Sequence, residues 1–304
     1  MSTAASARES ILHETSAPAL RSAVQASLRL GFARDAQANQ TVMTASHQEP
    51  PLRVVRAFSI EHGAALAHLH NVSGGLLGGD NLSVNISLAA ASRAQITTTG
   101  ATRIYRARED AAHTMVRIDV SVAEDALLEY LPDPAIPFAG ARYSQRTVIR
   151  LAERAGLFWW EILAPGREAR GEVFEYECVE LKTDVLALGR PIAAERARLE
   201  PKKRAISSVA RLGKYRTWAT FYICRVGLGE RLWLELEQEL RAAIERLAEP
   251  GETLWSISTL AAHGLAVRCL ARHGRNVLPG LHALWDAAKF RLYGQHAVPP
   301  RKVN

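Results

Sequence analysis

Apolar and polar residues alternate with a period of two along much of the chain, and this pattern predicts many short β-strands. The segment 113–122 shows it most clearly, with Val116, Ile118, Val120 and Val122 on one face. Alternation is typical of strands because successive side chains point to opposite faces of a sheet. The same pattern predicts strands at 26–32, 41–45, 84–88, 94–98, 127–131, 143–151, 157–163, 173–181, 217–226, 253–260 and 265–271, and a strand pair within 52–71.

Helical periodicity is confined to the C-terminal part of the chain. Leu236, Leu240 and Ile244 recur at helical spacing and predict a helix near 233–248. A second helix is predicted near 279–293, because a proline opens this apolar stripe and a glycine follows it.

No helical period interrupts residues 80–200, which disfavours alternating βαβ units. Turn signals at intervals of about eight to twelve residues favour stacked or coiled sheets. The predicted fold is therefore mainly β (α+β), with many short strands in stacked or coiled, β-helix-like sheets and a small helical C-terminal region. Residues 26–304 are expected to form a single β-rich domain. Residues 1–25 lack periodicity and are expected to be a flexible N-terminal extension.

Four glycines precede a carboxylate in the segment Gly74–Asp80, whose sequence is GGLLGGD. Such a cluster indicates left-handed backbone or close backbone approach. It is not a phosphate-binding loop, because Asp80 stands where a P-loop carries lysine. The loop is interpreted as presenting Asp80 to a cation or to a partner chain. The alternative is that Asp80 accepts hydrogen bonds from the backbone of its own turn.

Several motifs in order resemble the UreD (UreH) family of urease accessory proteins. GGLLGGDNL at 74–82 is followed by TTTGATRIYR at 97–106, and LEYLPDPAIPF at 128–138 and GREARGE at 166–172 continue the likeness. The resemblance covers roughly residues 26–304. Three departures from the usual pattern occur at Pro50, Thr99 and Arg103, and none of them removes a carboxylate.

The resemblance implies a non-catalytic scaffold for urease maturation. Such a protein would dock on the urease apoprotein and on a helical accessory protein of the UreF type, which recruits a GTPase of the UreG type that carries nickel. The family is thought to hold an internal route for the ion, so we expect transient nickel(II) and no tightly bound cofactor. Neither nucleic acid nor membrane is an expected partner.

The resemblance also suggests which side chains carry nickel. Asp80, Glu161 and Glu195 are the expected carboxylates of the route, Glu61 is a weaker candidate, and Thr102 would add a hydroxyl. Isolated oxygen ligands hold nickel less tightly than histidine or thiolate cages, so they can pass an ion onward.

Other motif residues are expected to bind partners or to support the structure. We expect the C-terminal helical region and the loop 132–138 to contribute to partner docking. Three prolines make this loop rigid, so it either packs on the core or forms an interface. The residues in this second group are Gly78, Gly79, Arg103, Tyr105, Pro132, Arg167 and Glu172.

Composition changes this picture only in part. The net charge of +7 raises a nucleic-acid hypothesis, which the basic segment 202–216 supports best. No nucleic-acid motif accompanies that segment, and the charge is otherwise spread evenly along the sequence, so a solvated loop or a docking face for an acidic partner is favoured. The three cysteines lack metal-ligand spacing and lie in apolar runs, which predicts buried thiols in a cytoplasmic protein.

An enzymatic alternative stays open. The sequence has no GxSxG or HExxH motif. It does have carboxylates at unusual positions, including Glu161 beside two tryptophans. If Glu161 faces inward, its charge requires a partner, a metal ion or a proton. Paired carboxylates in a coiled β fold could serve a β-helical carbohydrate-active hydrolase.

Overall fold

The computed structural model describes residues 23–108, 112–248 and 250–300. The predicted N-terminal extension lies almost entirely outside these residues. Strands are the main regular structure of the described chain and form two sheets, as the alternating pattern predicts.

One sheet has seven strands and the other has eleven. The strands of the seven-stranded sheet are β1 (Gln25–Asp35), β2 (Gln40–Gln48), β6 (Asn81–Leu88), β9 (Thr114–Val122), β12 (Arg142–Leu151), β14 (Cys178–Ala187) and β15 (Arg190–Leu199). The strands of the eleven-stranded sheet are β3 (Leu52–Arg53), β4 (Ala57–Ile60), β5 (Ala64–Asn71), β7 (Arg93–Thr98), β8 (Thr102–Ile104), β10 (Leu127–Tyr130), β11 (Ala135–Pro137), β13 (Gly156–Leu163), β16 (Thr217–Arg225), β17 (Thr253–Thr259) and β18 (Gly264–Ala271).

The chain coils between the two sheets. From β5 to β14 the longer strands alternate between the eleven-stranded and the seven-stranded sheet, in the order β5, β6, β7, β9, β10, β12, β13 and β14. Each strand pairs in parallel with the strand one coil away, as in β6–β9–β12 and β7–β10–β13. Parallel neighbours normally need a helical crossover, but here each connection crosses to the opposite sheet instead. The prediction of coiled, β-helix-like sheets is confirmed.

Tight turns lie at one end of the coil. Ala91, Asp125 and Arg154 occupy equivalent left-handed positions in successive turns, with φ of 56°, 57° and 56°. The turns stack, because the amide of Ala91 donates to the carbonyl of Glu124 at 2.9 Å. At the other end the connections are long, and their described parts comprise residues 72–80, 105–108, 112–113, 131–134 and 164–177. All the motifs of the family resemblance therefore meet at that second end.

Two hydrophobic cores result from this arrangement. One fills the space between the sheets, and Leu28, Ile96 and Trp159 are fully buried there. The other lies between the eleven-stranded sheet and the helices α1 (Glu230–Leu247) and α2 (Val277–Tyr293). Both predicted helices are confirmed, and each begins two or three residues earlier than expected. Among the described residues, no helix is long and apolar enough to cross a membrane.

A buried ion pair fastens α2 to the sheet. Glu129 and Lys289 are 2% and 4% exposed, and their closest side-chain nitrogen and oxygen atoms are 2.9 Å apart. Trp285 Nε1 also donates to Glu129 Oε1 at 2.8 Å. The segment after α2 returns to β7, where Gln95 Nε2 donates to the carbonyl of Val298 at 3.0 Å. Sequence analysis predicted neither partner of the ion pair.

The strand predicted at 173–181 is shifted in the structure. Strand β14 starts at Cys178 and continues to Ala187, and it forms a hairpin with β15, which was not predicted. The reason is that β15 is an edge strand with charged residues on its outer face and small or polar residues on its inner face, so its apolar alternation is weak.

A carboxylate pair in a cavity between the sheets

A cavity of about 340 Å³ lies between the two sheets, at the end of the coil that carries the long connections. Both sheets and the glycine loop contribute to its wall. The lining side chains include apolar residues, several hydroxyls and two glutamates. They come from the seven-stranded sheet (Leu82, Val84, Val116, Ile118, Tyr143, Gln145, Leu181, Thr183, Glu195), the eleven-stranded sheet (Leu69, Thr98, Thr102, Tyr130, Glu161, Ile162, Trp218, Thr220) and the loops (Gly74, Gly75, Thr99, Gly100, Pro132, Asp133).

Glu161 and Glu195 reach this cavity from opposite sheets. Glu161 lies on β13, where its register partner on β16 is Thr220. Glu195 lies on β15, where its register partner on β14 is Thr183. Thr183 Oγ1 donates across the gap to Glu161 Oε2 at 3.4 Å, and Thr220 Oγ1 donates to Glu195 Oε1 at 3.2 Å. Each carboxylate therefore accepts a hydrogen bond from the threonine that is the register partner of the other carboxylate.

The pKa of Glu161 is raised to about 7. Burial is the main cause, since the surrounding protein disfavours the charged form. Hydrogen-bond donation from Gln145 Nε2 lowers the pKa, and the negative charge of Glu195 raises it. The inward orientation considered for Glu161 is therefore correct, and near neutral pH this side chain exchanges a proton readily.

Glu195 has more donors and is closer to solvent. Tyr222 donates its hydroxyl to Glu195 Oε2 at 2.6 Å, and Arg268 Nη2 approaches the same oxygen at 3.4 Å. The Glu195 side chain is 20% exposed. The pair thus combines Glu161, whose charged form is disfavoured by burial, with Glu195, which accepts hydrogen bonds from Thr220 and Tyr222.

The glycine loop and the segment 102–107 are packed against each other. The amide of Leu76 donates to the carbonyl of Arg103, and the amide of Tyr105 donates to the carbonyl of Leu76, both at 2.8 Å. Glycine is required because a Cβ on Gly75 would lie 2.7 Å from the carbonyl oxygen of Arg103, and one on Gly78 would lie 2.7 Å from Ala107 Cα. The two most specific motifs in the sequence therefore form one contact.

Asp80 is buried at the base of this loop and does not line the cavity. Its Oδ2 accepts the amide of Leu77 at 2.8 Å, and its Oδ1 accepts the amide of Val24 at 3.0 Å. This is the arrangement expected if Asp80 accepts hydrogen bonds from its own turn. Gly79, which precedes it, has a φ of 90°. A place for Asp80 on a nickel route stays a prediction.

Some of the other predicted residues lie at the cavity and some do not. Thr102 and Arg103 border the cavity beside the glycine loop, and the ring of Tyr105 lies against Phe138 with 5.0 Å between centroids. Pro132 also lines the cavity. Glu61 occupies an exposed 3₁₀ turn, so the structure does not bring it to the carboxylate pair.

The loop 132–138 packs on the core. Its Pro132 carbonyl accepts a hydrogen bond from Trp160 Nε1 at 2.9 Å. Glu172 links the connection 164–177 to this loop. Its carboxylate accepts a hydrogen bond from Arg167 Nε at 2.8 Å and another from the amide of Ala139 at 3.2 Å. The Arg167 guanidinium also stacks over the ring of Phe138 at 4.3 Å. Arg167 and Glu172 thus form a structural clamp over the loop.

The cavity has no dense ligand cage. Within the described ranges, no group of three or more His, Cys, Asp or Glu side chains converges as metal ligands. The three cysteines are buried and unpaired, as predicted.

Comparison with known proteins agrees with this architecture. A model of the UreD urease accessory protein family matches residues 24–304. The chain belongs to the UreD family of urease accessory proteins. A UreD from Herpetosiphon aurantiacus is 48% identical over 265 residues, which cover 87% of this chain and 92% of that protein. A UreD from Citrobacter koseri is 30% identical over 295 residues, covering 97% and 95%, and one from Pseudomonas aeruginosa is 33% identical over 277 residues, covering 91% and 93%.

Membership in the UreD family places this chain in urease maturation. Within that framework, sequence analysis missed the side chains that hold the carboxylate pair, namely Gln145, Thr183, Thr220 and Tyr222. A signal existed for some of them. Gln145 and Thr147 occupy inward positions of a strand whose other inward residues are apolar, which marks a polar site inside the core. Their partners could not be found, because they lie on strands distant in sequence.

Proposed function

We propose that this chain is a non-catalytic cytoplasmic scaffold that conducts nickel(II) into the urease apoprotein, and that the ion passes through the cavity between the two sheets. The proposal rests mainly on one observation, the Glu161–Glu195 pair inside a cavity of a urease accessory protein. Nickel is the cargo of this route and not a resident cofactor. In the assembled state the chain binds the urease apoprotein and a UreF-type helical protein, which brings a UreG-type GTPase.

The chemistry of the pair suits a transient site. Two carboxylates from opposite walls can together hold a divalent cation, and the hydroxyls of Thr183 and Thr220 keep both oriented toward the gap. Oxygen ligands bind nickel(II) more weakly than imidazole or thiolate ligands, so the ion is released readily. The high pKa of Glu161 further favours release of the ion, because a proton competes with the cation for this carboxylate near neutral pH.

The direct test is reconstitution. The chain is co-expressed with the UreF-type protein and the UreG-type GTPase, purified by size-exclusion chromatography, and mixed with urease apoprotein and nickel. A stable complex that raises the nickel content of urease supports the proposal. A folded chain that elutes alone and leaves urease without nickel overturns it.

The hydrolase alternative has one observation in its favour, since the cavity holds a carboxylate of raised pKa together with a second carboxylate. It predicts turnover of a chromogenic glycoside that is lost in Glu161→Gln. Lack of turnover by the purified chain, together with nickel transfer in the reconstitution, decides against it.

A further inference from the structure

The outer face of the seven-stranded sheet is open. Parallel sheets are usually covered on both faces. Helices α1 and α2 cover the eleven-stranded sheet, but among the described residues no element covers the outer face of β6, β9, β12 and β14. Apart from Cys178 at the start of β14, the outward side chains of these strands are exposed or half-exposed.

The strand register places basic residues side by side on this face. Arg117 on β9 pairs with Arg146 on β12, Arg146 pairs with Lys182 on β14, and Lys182 pairs with Arg196 on β15. Neighbouring strands are about 4.8 Å apart, so these four side chains form a row about 14 Å long. The basic residues lie far apart in the sequence, but the coiled fold brings these four side chains together on one face.

Two members of the row lack a counter-charge. Lys182 is 3.0 Å from Glu180, and Arg196 is 2.5 Å from Asp184. Arg117 and Arg146, at the centre of the sheet, form no ion pair with any described residue, and both are exposed. Like charges directly opposite one another destabilise a sheet. An anionic group that binds to this pair would remove the repulsion.

The whole face is basic. Four rows of outward side chains cross strands β1, β6, β9, β12, β14 and β15, and they carry seven basic residues against three carboxylates. The basic residues are Arg29, Arg117, Arg146, Arg150, Lys182, Arg196 and Arg198, and the acidic ones are Asp119, Glu180 and Asp184.

We propose that this face docks a folded partner protein through a carboxylate-rich surface, with Arg117 and Arg146 at the centre of the contact. Guanidinium groups bind carboxylates through paired hydrogen bonds, and Ser83, the register partner of Arg117 on β6, supplies a hydroxyl donor beside the pair. A protein is favoured over nucleic acid because the chain belongs to a family of urease accessory proteins. In addition, the four rows contain no aromatic side chain on which bases could stack.

The test compares two double variants that lose the same charge. Arg117→Gln with Arg146→Gln removes the central pair. Arg56→Gln with Arg154→Gln is the control, because both arginines are exposed and lie outside the basic face, the C-terminal helical region and the loop 132–138. The probes are purified urease apoprotein, purified UreF-type protein and a duplex DNA of about 20 base pairs, and the dissociation constants are measured at about 50 and 200 mM salt. The two protein probes come from the proposed function.

The expected result is that the central double variant weakens binding to one of the two proteins about tenfold and flattens its salt dependence, while the control binds like wild type. Equal affinity of wild type and central variant for both proteins, or no binding to either, overturns the docking face. Sensitivity seen only with DNA overturns it in favour of nucleic acid. Nickel content of urease, measured in parallel, reports separately on the proposed function.

Discussion

Glu161 and Glu195 face one cavity from opposite sheets, and each accepts a hydrogen bond from the threonine that is the strand neighbour of the other. Arg268, on the eleven-stranded sheet, adds an ion pair to Glu195 across the two walls, whereas Glu161 accepts hydrogen bonds from the neutral side chains of Gln145 and Thr183. The crossed arrangement also couples the charges of the two carboxylates, because Glu195 raises the pKa of Glu161.

The first prediction concerns the pH dependence of stability. The pKa of Glu161 is about 7 in the folded chain against an ordinary value of 4.5, so the folded state binds more protons between these values. The free energy of unfolding therefore falls as the pH rises from about 4.5 to about 7. Removing the ionisable group in Glu161→Gln should stabilise the chain by about 3 kcal/mol well above pH 7 and have little effect below pH 4.5.

Urea denaturation of wild type and Glu161→Gln across this pH range measures the difference. Glu245→Gln is the control, because Glu245 is exposed on α1. A stability difference that does not change with pH would show that the pKa of Glu161 is the same in the folded and the unfolded chain.

The second prediction concerns the buried ion pair. In Lys289→Met the Glu129 carboxylate loses its counter-charge inside the protein, and the free energy of unfolding should fall by about 3–5 kcal/mol. Adding Glu129→Gln removes the stranded charge and keeps an acceptor for Trp285, so the double variant should recover most of the loss. A double-mutant cycle by chemical denaturation checks this. Additive losses would contradict it.

The third prediction tests the glycine loop. In Gly78→Ala the new Cβ would lie 2.7 Å from Ala107 Cα, which is backbone-linked and cannot move aside. The expected cost is about 1–3 kcal/mol, visible as a lower melting temperature. Gly100→Ala is the matched control, because nothing lies within 4 Å of its Cβ position. Equal melting temperatures of the two variants would mean that the loop relaxes freely.

The fourth prediction separates the two roles considered for Asp80. Asp80→Asn keeps one acceptor oxygen but turns an amide group toward Val24 or Leu77, so it should destabilise the chain by about 1–3 kcal/mol. Once the variant is folded and assembled, nickel transfer should be nearly unchanged if Asp80 is structural. A normal melting temperature with lost transfer would place Asp80 on the nickel route instead.

Docking by the C-terminal helical region could be tested by deleting the residues after Pro250, but such a deletion would be a poor test. It would remove β17, β18 and α2, including Trp285 and Lys289, and would leave Glu129 buried without partners. Loss of binding in such a chain would report unfolding. Substitutions at exposed side chains such as Leu234 or Phe290 leave the core intact and address the same question.

The sequence predicts the strands and helices well, because period two and period 3.6 are local properties. It also predicts stacked or coiled sheets, because no helical period interrupts residues 80–200, but it does not choose between these two arrangements. The cavity is different. Whether Glu161 points inward depends on register with β16 and on the position of β15, whose weak alternation hides it. Asp80 illustrates a different difficulty. Its unusual position in the motif suggested a cation or partner site, whereas in the structure its carboxylate accepts the backbone amides of Val24 and Leu77.

The most direct test of the central claim is nickel transfer by an assembled complex that lacks the carboxylate pair. Glu161→Gln with Glu195→Gln is compared with wild type and with Glu245→Gln, using equal amounts of complex confirmed by size-exclusion chromatography. The nickel content of urease is then measured by elemental analysis. A conduit through the cavity predicts normal assembly and at least about tenfold slower nickel loading for the double variant, with the control unchanged. Loading at the wild-type rate would contradict passage between Glu161 and Glu195.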